Sequence, residues 1–288
     1  MKKISIIIVT YNSIDYIFNC LQSIYACNDI LSEDIEIIVV DNSDIIIFNR
    51  MKKIISDNFQ NIILMHNVAN NGYGQGNNIG INKATANIVC IMNPDVILES
   101  AMFKKVVKLF KDNDKLAVVG GKQFGGINLS FWIRPEFEFF LLTTPIMILL
   151  NKLNVYKEKL FFLSGALLFL DKEKFKKIGM FDENIFLYRE ESDIIQRFLE
   201  MNFTTHYEKT FKYKHLVDDR VNVDDFSFNE EIKSTKYYMK KYGYSFKFFV
   251  FQRKFYSLLM TCFYYFTRQT ERYFEMKKNV RRFKSIKP

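Results

Sequence analysis

Short apolar runs rich in β-branched residues alternate with amphipathic stretches over about the first 120 residues. The runs are KISIIIVT, IEIIVV, NIILMH, NIVCIM and LAVVGG, and each has the length of a strand. Buried strands separated by helical stretches are typical of a parallel sheet with crossover helices. The sequence therefore predicts an α/β fold in which a mostly parallel, Rossmann-like sheet is flanked by helices.

Polar residues follow four of these predicted strands at the point where each strand ends. They occupy positions 10–12, 41–43, 70–78 and 93–95. Because ligands of open parallel sheets bind beyond the carboxyl ends of the strands, we expect all four segments to face one crevice. The Gly-rich segment 70–78 is not a dinucleotide fingerprint, since it comes late and the first strand ends in Thr-Tyr-Asn.

The residue types in these segments allow specific contacts, each with a structural alternative. Asp41 is able to accept hydrogen bonds from a nucleobase or a ribose, or else to cap a turn. Tyr11 has a ring that stacks on a base or packs against its neighbours. Asp95, just past a buried strand and a proline, suits a divalent cation on two phosphates, or else closes a turn.

The second half of the chain contains an acidic cluster after Tyr188, made of Glu190, Glu191 and Asp193. Acids in the first turn of a helix often only complement the helix dipole. Beside aromatic residues, a carboxylate of this kind also suits a general base, because burial raises its pKa. His215 follows a probable strand and is either structural or a contact to metal or phosphate.

The C-terminal residues 233–288 carry 15 Lys/Arg against two acids, whereas the rest of the chain has 26 basic and 30 acidic residues. The same segment is crowded with aromatic residues. This pattern favours contact with an anionic membrane surface. Packing of an aromatic helix face and nucleic-acid binding are the alternatives.

Neither a disordered chain nor a secreted scaffold is expected. Apolar residues make up 49% of the sequence, and the four cysteines have no metal-ligand spacing, which favours a reducing cytoplasm. The apolar run from Ile4 to Val9 is too short for a signal peptide. The longest apolar runs, 139–150 and 255–266, are shorter than a membrane span, so we expect buried core segments there.

Six elements resemble, in order, those of inverting family-two glycosyltransferases with the GT-A fold, especially the rhamnosyltransferase-like branch of polysaccharide assembly. They span residues 3–216 and are IIIVTYNS, IIVVDNS, NNGYGQGNNIGI, IMNPDV, SGALLFLDKEKFKKIGMFDENIFLYREESD and His215. The order and spacing are specific for the family. They do not specify the sugar.

The resemblance implies a role for several residues. Those expected beside the nucleotide are Thr10, Tyr11, Asn12, Asp41, Asn78 and Asn93. Those expected around the donor sugar or acceptor are Gly165, Ala166 and Tyr188. Asp95, with His215, is expected to bind Mg²⁺ or Mn²⁺ on the donor diphosphate. Glu191 matches the family's base, with Glu190 and Asp193 as alternatives. Asn93 stands where other branches have an aspartate.

The resemblance also implies an activity and an organisation. We expect residues 1–232 to form the GT-A domain, with a nucleotide-binding half at 1–120 and an acceptor-binding half at 121–232, followed by the helical tail 233–288. The expected reaction moves a sugar from a UDP-, dTDP- or GDP-linked donor to a lipid-linked or oligosaccharide acceptor of cell-surface polysaccharide such as O-antigen or capsule. The tail would hold the enzyme at the inner face of the cell membrane.

Three other classes of protein are weighed against this one. A non-catalytic nucleotide-sugar-binding protein is the main alternative, although binding alone needs no acidic cluster. A nucleotidyltransferase would need a basic Gly-rich loop after the first strand, which TYNS lacks. A nucleic-acid-binding protein would leave the ordered motifs of the first 216 residues unexplained, so we expect no nucleic-acid partner.

Overall fold

The computed structural model describes residues 2–125, 129–216 and 224–286. The chain divides into two compact units, Met1–Trp132 with Tyr156–Asp218 and Ile133–Val155 with Asp219–Pro288. Residues 133–155, which the sequence assigned to the first domain, thus belong with the C-terminal helices. The reason is local packing, since the helix in this segment contacts the longest C-terminal helix.

Within its described residues, the first unit contains the strands and six helices of an α/β fold. Its strands are β1 (Ile4–Thr10), β2 (Ile35–Asp41), β3 (Ile62–His66), β4 (Ile88–Met92), β5 (Val96–Leu98), β6 (Leu116–Phe124), β7 (Phe131–Ile133, which ends at the unit boundary), β8 (Phe161–Leu163), β9 (Leu167–Asp171) and β10 (Thr204–His215). Its helices are α1 (Ile14–Ala26), α2 (Ile45–Asn58), α3 (Tyr73–Lys83), α4 (Phe103–Asp112), α6 (Lys172–Lys177) and α7 (Glu190–Glu200), with a 3₁₀ turn at Ser32–Asp34.

Eight strands form one sheet in the order β3-β2-β1-β4-β9-β6-β10-β5, and β7 pairs with β8. The pairs β1–β2, β1–β4, β2–β3 and β6–β10 are parallel, whereas β9 and β5 run antiparallel to their neighbours. The predicted mostly parallel α/β fold is confirmed. The antiparallel strands were not predicted from the sequence, because β5 has only three residues and β9 lies inside one long apolar run.

The central strands are apolar on both faces because helices cover both faces of the sheet. Every residue of β1 is buried, and so is every residue of β4. The helix α1 follows β1 directly after Ser13 and buries Ile17, Leu21 and Ile24 in this core. The apolar residues of these strands therefore fill the core between the sheet and its helices.

The second unit is helical, with α5 (Phe140–Leu153), α8 (Asp225–Lys241), α9 (Phe246–Phe266), α10 (Thr270–Ser285) and a 3₁₀ turn at Pro135–Phe137. Phe228, Tyr238, Phe249 and Phe283 share its small core. Within the described ranges, no helix combines the length and the apolar character needed to cross a bilayer.

The apolar runs 139–150 and 255–266 are not the buried core segments that the sequence predicted. Only Met147 is buried in α5, while Leu142 and Ile146 are 61% and 55% exposed. In α9, Phe263 and Phe266 are 51% and 80% exposed. Each run forms a helix with one packed face only, since the small core of this unit does not surround it.

Candidate functional site

The ends of β1 and β2 are joined through the side chain of Asp41. The parallel register places Thr10 beside Asp41, and both are fully buried. The Thr10 hydroxyl donates to Asp41 Oδ1 over 2.9 Å, and the Ser43 hydroxyl donates to the same oxygen over 2.7 Å. Asp41 Oδ2 is buried and has no hydrogen-bond partner in the part of the chain that the structure describes. A buried carboxylate oxygen is costly to leave unpaired, so this atom is positioned to accept from a ligand.

Tyr11 and Asn12 follow Thr10 on the same strand end. The ring of Tyr11 is 59% exposed and is open to stacking. Asn12 adopts a left-handed backbone conformation with φ of 53°, and its backbone N–H donates to Ser43 Oγ over 2.8 Å. The predicted nucleotide residues 10–12 and 41 therefore lie together.

The Gly-rich loop enters α3 through Gly72 and Tyr73. Gly72 has φ of 103°, and a Cβ there would clash with the carbonyl oxygen of Phe186, so only glycine fits. The Tyr73 hydroxyl contacts Asn93 Oδ1 at 3.0 Å and the carbonyl of Gly165 at 3.2 Å, and it donates to one of these acceptors at a time. Sequence analysis missed Tyr73, although an aromatic residue flanked by two glycines was a usable signal.

Asp95, Asn93 and His215 meet at the end of β4. His215 Nε2 lies 3.2 Å from Asp95 Oδ1 and 3.4 Å from Asn93 Nδ2. Pairing of β5 with β10 sets His215 opposite Val96, beside Asp95. Among the described residues, no group of three or more His, Cys, Asp or Glu side chains could hold a metal by itself. A carboxylate and an imidazole together fit a divalent cation whose other ligands are phosphate oxygens and water.

The three acidic candidates at the start of α7 differ in access to solvent. Glu190 is 4% exposed and Asp193 is fully buried, whereas Glu191 is partly exposed. Asp193 Oδ2 accepts from Arg197 Nε over 2.9 Å and from Arg197 Nη2 over 2.6 Å. Asp193 is thereby occupied in a helix ion pair, which leaves Glu191 as the accessible carboxylate of the cluster.

Burial raises the pKa of both neighbouring glutamates. Loss of solvation raises the pKa of Glu190 well above its usual range, and the charge of Glu191 adds to this increase. The pKa of Glu191 is raised as well, chiefly by burial, and its own backbone N–H and Arg189 oppose the shift. Glu190 Oε1 has no hydrogen-bond partner within the described ranges. Because the pKa increase is greater for the more deeply buried Glu190, Glu191 is the carboxyl group of this pair that ionises first as the pH rises.

Gly165 lies directly under the Glu191 carboxyl group. A Cβ at Gly165 would clash with Glu191 Oε1, so the missing side chain makes room for this carboxylate. The neighbouring Ala166 is a core residue, and its carbonyl accepts from the backbone N–H of Asn93 over 2.9 Å. Tyr188 is partly buried before α7, with φ of 69°.

Asn78 has a different environment from the other predicted nucleotide residues. Its Nδ2 donates to the Phe181 carbonyl over 3.0 Å and to Glu183 Oε1 over 2.9 Å. Its Oδ1 accepts from the Phe181 amide over 3.1 Å. The side chain thus fixes the segment before α7 to α3, and its place beside a nucleotide stays a prediction.

A continuous chain of contacts connects the separate segments of the site. Asn42, next to Asp41, donates to the Gly72 carbonyl over 3.4 Å, and Tyr73 follows Gly72. The Tyr73 hydroxyl contacts Asn93. Asn93 contacts His215, and His215 contacts Asp95. The Tyr73 hydroxyl also contacts the carbonyl of Gly165, which lies under Glu191. The strand ends and the start of α7 are therefore linked by contacts within the first unit.

The large, mostly parallel sheet flanked by helices is that of the GT-A class of glycosyltransferases. The family model of glycosyl transferase family 2 matches residues 5–179. The chain belongs to this family. No curated protein matches the sequence significantly.

Two solved structures share the fold. A mannosyltransferase from Pyrobaculum calidifontis, PcManGT, in complex with GDP-Man and Mn²⁺, is 16% identical with a TM-score of 0.57, over 76% of this chain and 59% of that one. TarS from S. aureus is 17% identical with a TM-score of 0.53, over 84% of this chain and 44% of that one. The chain thus spans little more than half the length of the mannosyltransferase and less of TarS.

Substitution of Gly165 tests whether the position of the Glu191 carboxyl group matters for sugar transfer. We expect Gly165→Ala to displace the Glu191 carboxyl group, because the new methyl group would occupy its position. A flexible side chain can move, so the fold should persist. Sugar transfer should fall by up to about 10²-fold, the effect of a misplacement of about 1 Å, while the melting temperature changes little. Unchanged turnover in this variant would show that the position does not matter.

Substitution of Glu190 tests its protonation. A folded pKa above the unfolded value stabilises the fold fully at low pH, and this contribution is lost as the pH rises through the folded pKa. For each unit by which the folded pKa exceeds the unfolded pKa, the free energy of unfolding at high pH is lower by about 1.4 kcal/mol. Glu190→Gln removes this cost, so the stability of the variant relative to wild type should rise as the pH increases above 4.5, the ordinary pKa of a glutamate. Thermal unfolding at several pH values measures this, and a difference independent of pH would contradict it.

Proposed function

We propose that the protein is an inverting glycosyltransferase that moves a sugar from a nucleoside-diphosphate donor to the hydroxyl of a saccharide acceptor. The observation that carries the proposal is that the partly exposed Glu191 belongs to the same contact network as Asp95 and as Asn42, the neighbour of Asp41. A nucleotide contact, a diphosphate contact and a base are the three groups that such a transfer needs.

Asp41 is the proposed contact to the nucleoside. Thr10 and Ser43 engage Oδ1 and leave the buried Oδ2 to accept from a base N–H or a ribose hydroxyl. The exposed ring of Tyr11 next to Thr10 offers a stacking surface for the base.

Asp95 and His215 are the proposed protein ligands of Mg²⁺ or Mn²⁺. When bound, the ion supplies charge neutralisation for the leaving diphosphate. Asn93 contacts His215 and also accepts from Tyr73, so it holds this pair against the Gly-rich loop. The related mannosyltransferase structure contains Mn²⁺ together with GDP-Man, which supports the proposal.

Glu191 is the proposed general base. The acceptor oxygen attacks the anomeric carbon from the face opposite the diphosphate, and its proton passes to the Glu191 carboxylate. The new C–O bond forms as the bond to the diphosphate oxygen breaks, so the anomeric configuration inverts. Glu190 stays protonated behind it, which keeps the single negative charge on Glu191.

The acceptor is proposed to be a lipid-linked or oligosaccharide intermediate of cell-surface polysaccharide, at the inner face of the cell membrane. The excess of cations in residues 233–288 supports attachment of the enzyme to anionic lipid there. The Asn93-Pro94-Asp95 triplet favours the rhamnosyltransferase-like branch, with a hexose or deoxyhexose as the transferred sugar.

A nucleotide-sugar-binding protein without activity is the alternative. The raised pKa values of Glu190 and Glu191 argue against it, because a binding site gains nothing from a buried pair of acids. The structure thus favours an enzyme over a binding module.

Replacement of the proposed base should separate binding from transfer. Glu191→Gln should lower the rate of transfer about 10²–10⁴-fold, the usual contribution of a general base, with donor affinity nearly unchanged. Glu200→Gln, an exposed substitution on the same helix, is the matched control and should keep wild-type turnover. Turnover is measured by release of nucleoside diphosphate from UDP-, dTDP- and GDP-sugars. Normal turnover in Glu191→Gln would move the base to another residue.

Replacement of the proposed metal ligand should remove metal-dependent donor binding. Asp95→Asn should weaken donor affinity by about an order of magnitude in Mg²⁺ or Mn²⁺, since the ion neutralises diphosphate charge, and should abolish the difference between metal and EDTA. Calorimetry of donor binding is the measurement, with the exposed Asp112→Asn as control. Equal wild-type affinity with and without metal would reject the metal site.

A further inference from the structure

The helix α9 leaves a row of large apolar side chains in solvent along one side. Their spacing of three or four residues places them on one face of the helix. The row, which we call the apolar stripe, consists of Phe248, Phe251, Phe255, Leu258, Leu259, Phe263 and Phe266. Phe251 is 63% exposed. At about 1.5 Å per residue, the stripe is roughly 27 Å long.

The other face of α9 is fixed within the second unit. Phe249 and Val250 belong to its core with Tyr238, and Ser257 is buried. Arg253 also points inward, since it pairs with Glu231 over 3.0 Å and lies 4.2 Å from the centroid of the Phe140 ring. The packing therefore determines which side chains α9 presents to solvent.

The segment that carries the apolar stripe is rich in cations. Residues 245–286 contain ten Lys/Arg and two acids. Lys247 lies beside the stripe at the start of α9. The adjacent α10 packs along α9 and carries exposed Lys277, Lys278, Arg281 and Lys284. An exposed apolar face bordered by cations is the composition of helices that lie in a membrane interface.

The helix α5 repeats this pattern in the same unit. Leu142, Ile146, Leu149 and Leu153 are each more than half exposed, and their spacing places them on one face. Lys152 lies in the last turn. The two helices touch where the rings of Phe140 and Tyr256 meet at 4.5 Å. The unit thus has two apolar faces beyond its core.

We propose that α9 lies flat in the interface of an anionic lipid bilayer, with the apolar stripe among the acyl chains, the flanking cations on the headgroups and the outer face of α5 as a second inserted surface. A second copy of this chain fits less well, because it would bring two sets of these cations together. The attachment proposed above rests on attraction between cations and anionic lipid. Insertion adds burial of apolar surface in the bilayer to that attraction. It does not depend on sugar transfer.

Cosedimentation with vesicles of phosphatidylglycerol and phosphatidylcholine tests the insertion. We expect the triple variant Phe251→Ser, Phe255→Ser, Leu258→Ser to bind at least about tenfold more weakly than wild type, since affinity scales with inserted apolar area. Its exposed positions should leave the fold intact. Wild type should keep measurable binding in about 1 M salt, where charges are screened beyond about 3 Å. Complete loss in salt, with equal binding by the triple variant, would reduce the attachment to charge alone and overturn insertion.

Matched variants sharpen this comparison. Phe226→Ser removes an equally exposed phenylalanine of the same unit outside the stripe and should bind like wild type. If Phe226→Ser weakens binding as much as the triple variant, the stripe is not the specific contact. Transfer to a water-soluble acceptor analogue should be the same in wild type and the triple variant. Failure of the membrane proposal is thereby separated from failure of the proposed activity.

Cys262 provides a direct probe, because it is exposed on α9 beside the stripe. A polarity-sensitive dye on Cys262, in a Cys27→Ser background, should shift to shorter wavelength with anionic vesicles. Lipids carrying a nitroxide high on the acyl chain should quench it more than lipids with a deep nitroxide. An unshifted spectrum would overturn insertion. So would a dimer in solution that the triple variant abolishes, because the stripe would then be an interface between copies.

Discussion

The hydroxyl group of Tyr73 joins three segments that are distant in sequence. It contacts the Asn93 side chain after β4 and the Gly165 carbonyl before β9, while its own backbone begins α3. Its pKa is raised well above the usual range, chiefly by burial and then by Glu191 and Glu190, so the hydroxyl keeps its proton and stays a donor. Without this donor, the loop holding Asp95 and the turn beneath Glu191 would lose their shared partner.

The division of roles between Glu190 and Glu191 follows from access. Both begin the same helix, where the dipole favours negative charge, yet burial outweighs the dipole for Glu190. Glu191 remains partly exposed over a glycine that provides space but no side chain. Of the two carboxyl groups, Glu191 is therefore the more accessible and the more readily ionised.

The parallel half of the sheet and the clustering of its strand ends were predictable, because β1 to β4 have apolar runs that end in polar residues. Strand β5 was not, since three residues carry no periodic signal. Nor was the choice among Glu190, Glu191 and Asp193, which depends on Arg197 and on burial in three dimensions. The exposed faces of α5 and α9 escaped prediction for a related reason. An apolar run has the same sequence signature whether a core or a bilayer receives it.

Strand β10 slips its register against β6 between Glu208 and Lys212 before it pairs with β5. Side chains alternate along a strand, so Phe211, Tyr213 and His215 share one face. Shortening the irregular stretch by one residue would exchange the two faces of everything after it. His215 would then point away from Asp95, although every motif remained in the sequence. The number of residues in this irregular stretch of β10 thus sets whether the imidazole and the carboxylate meet at all.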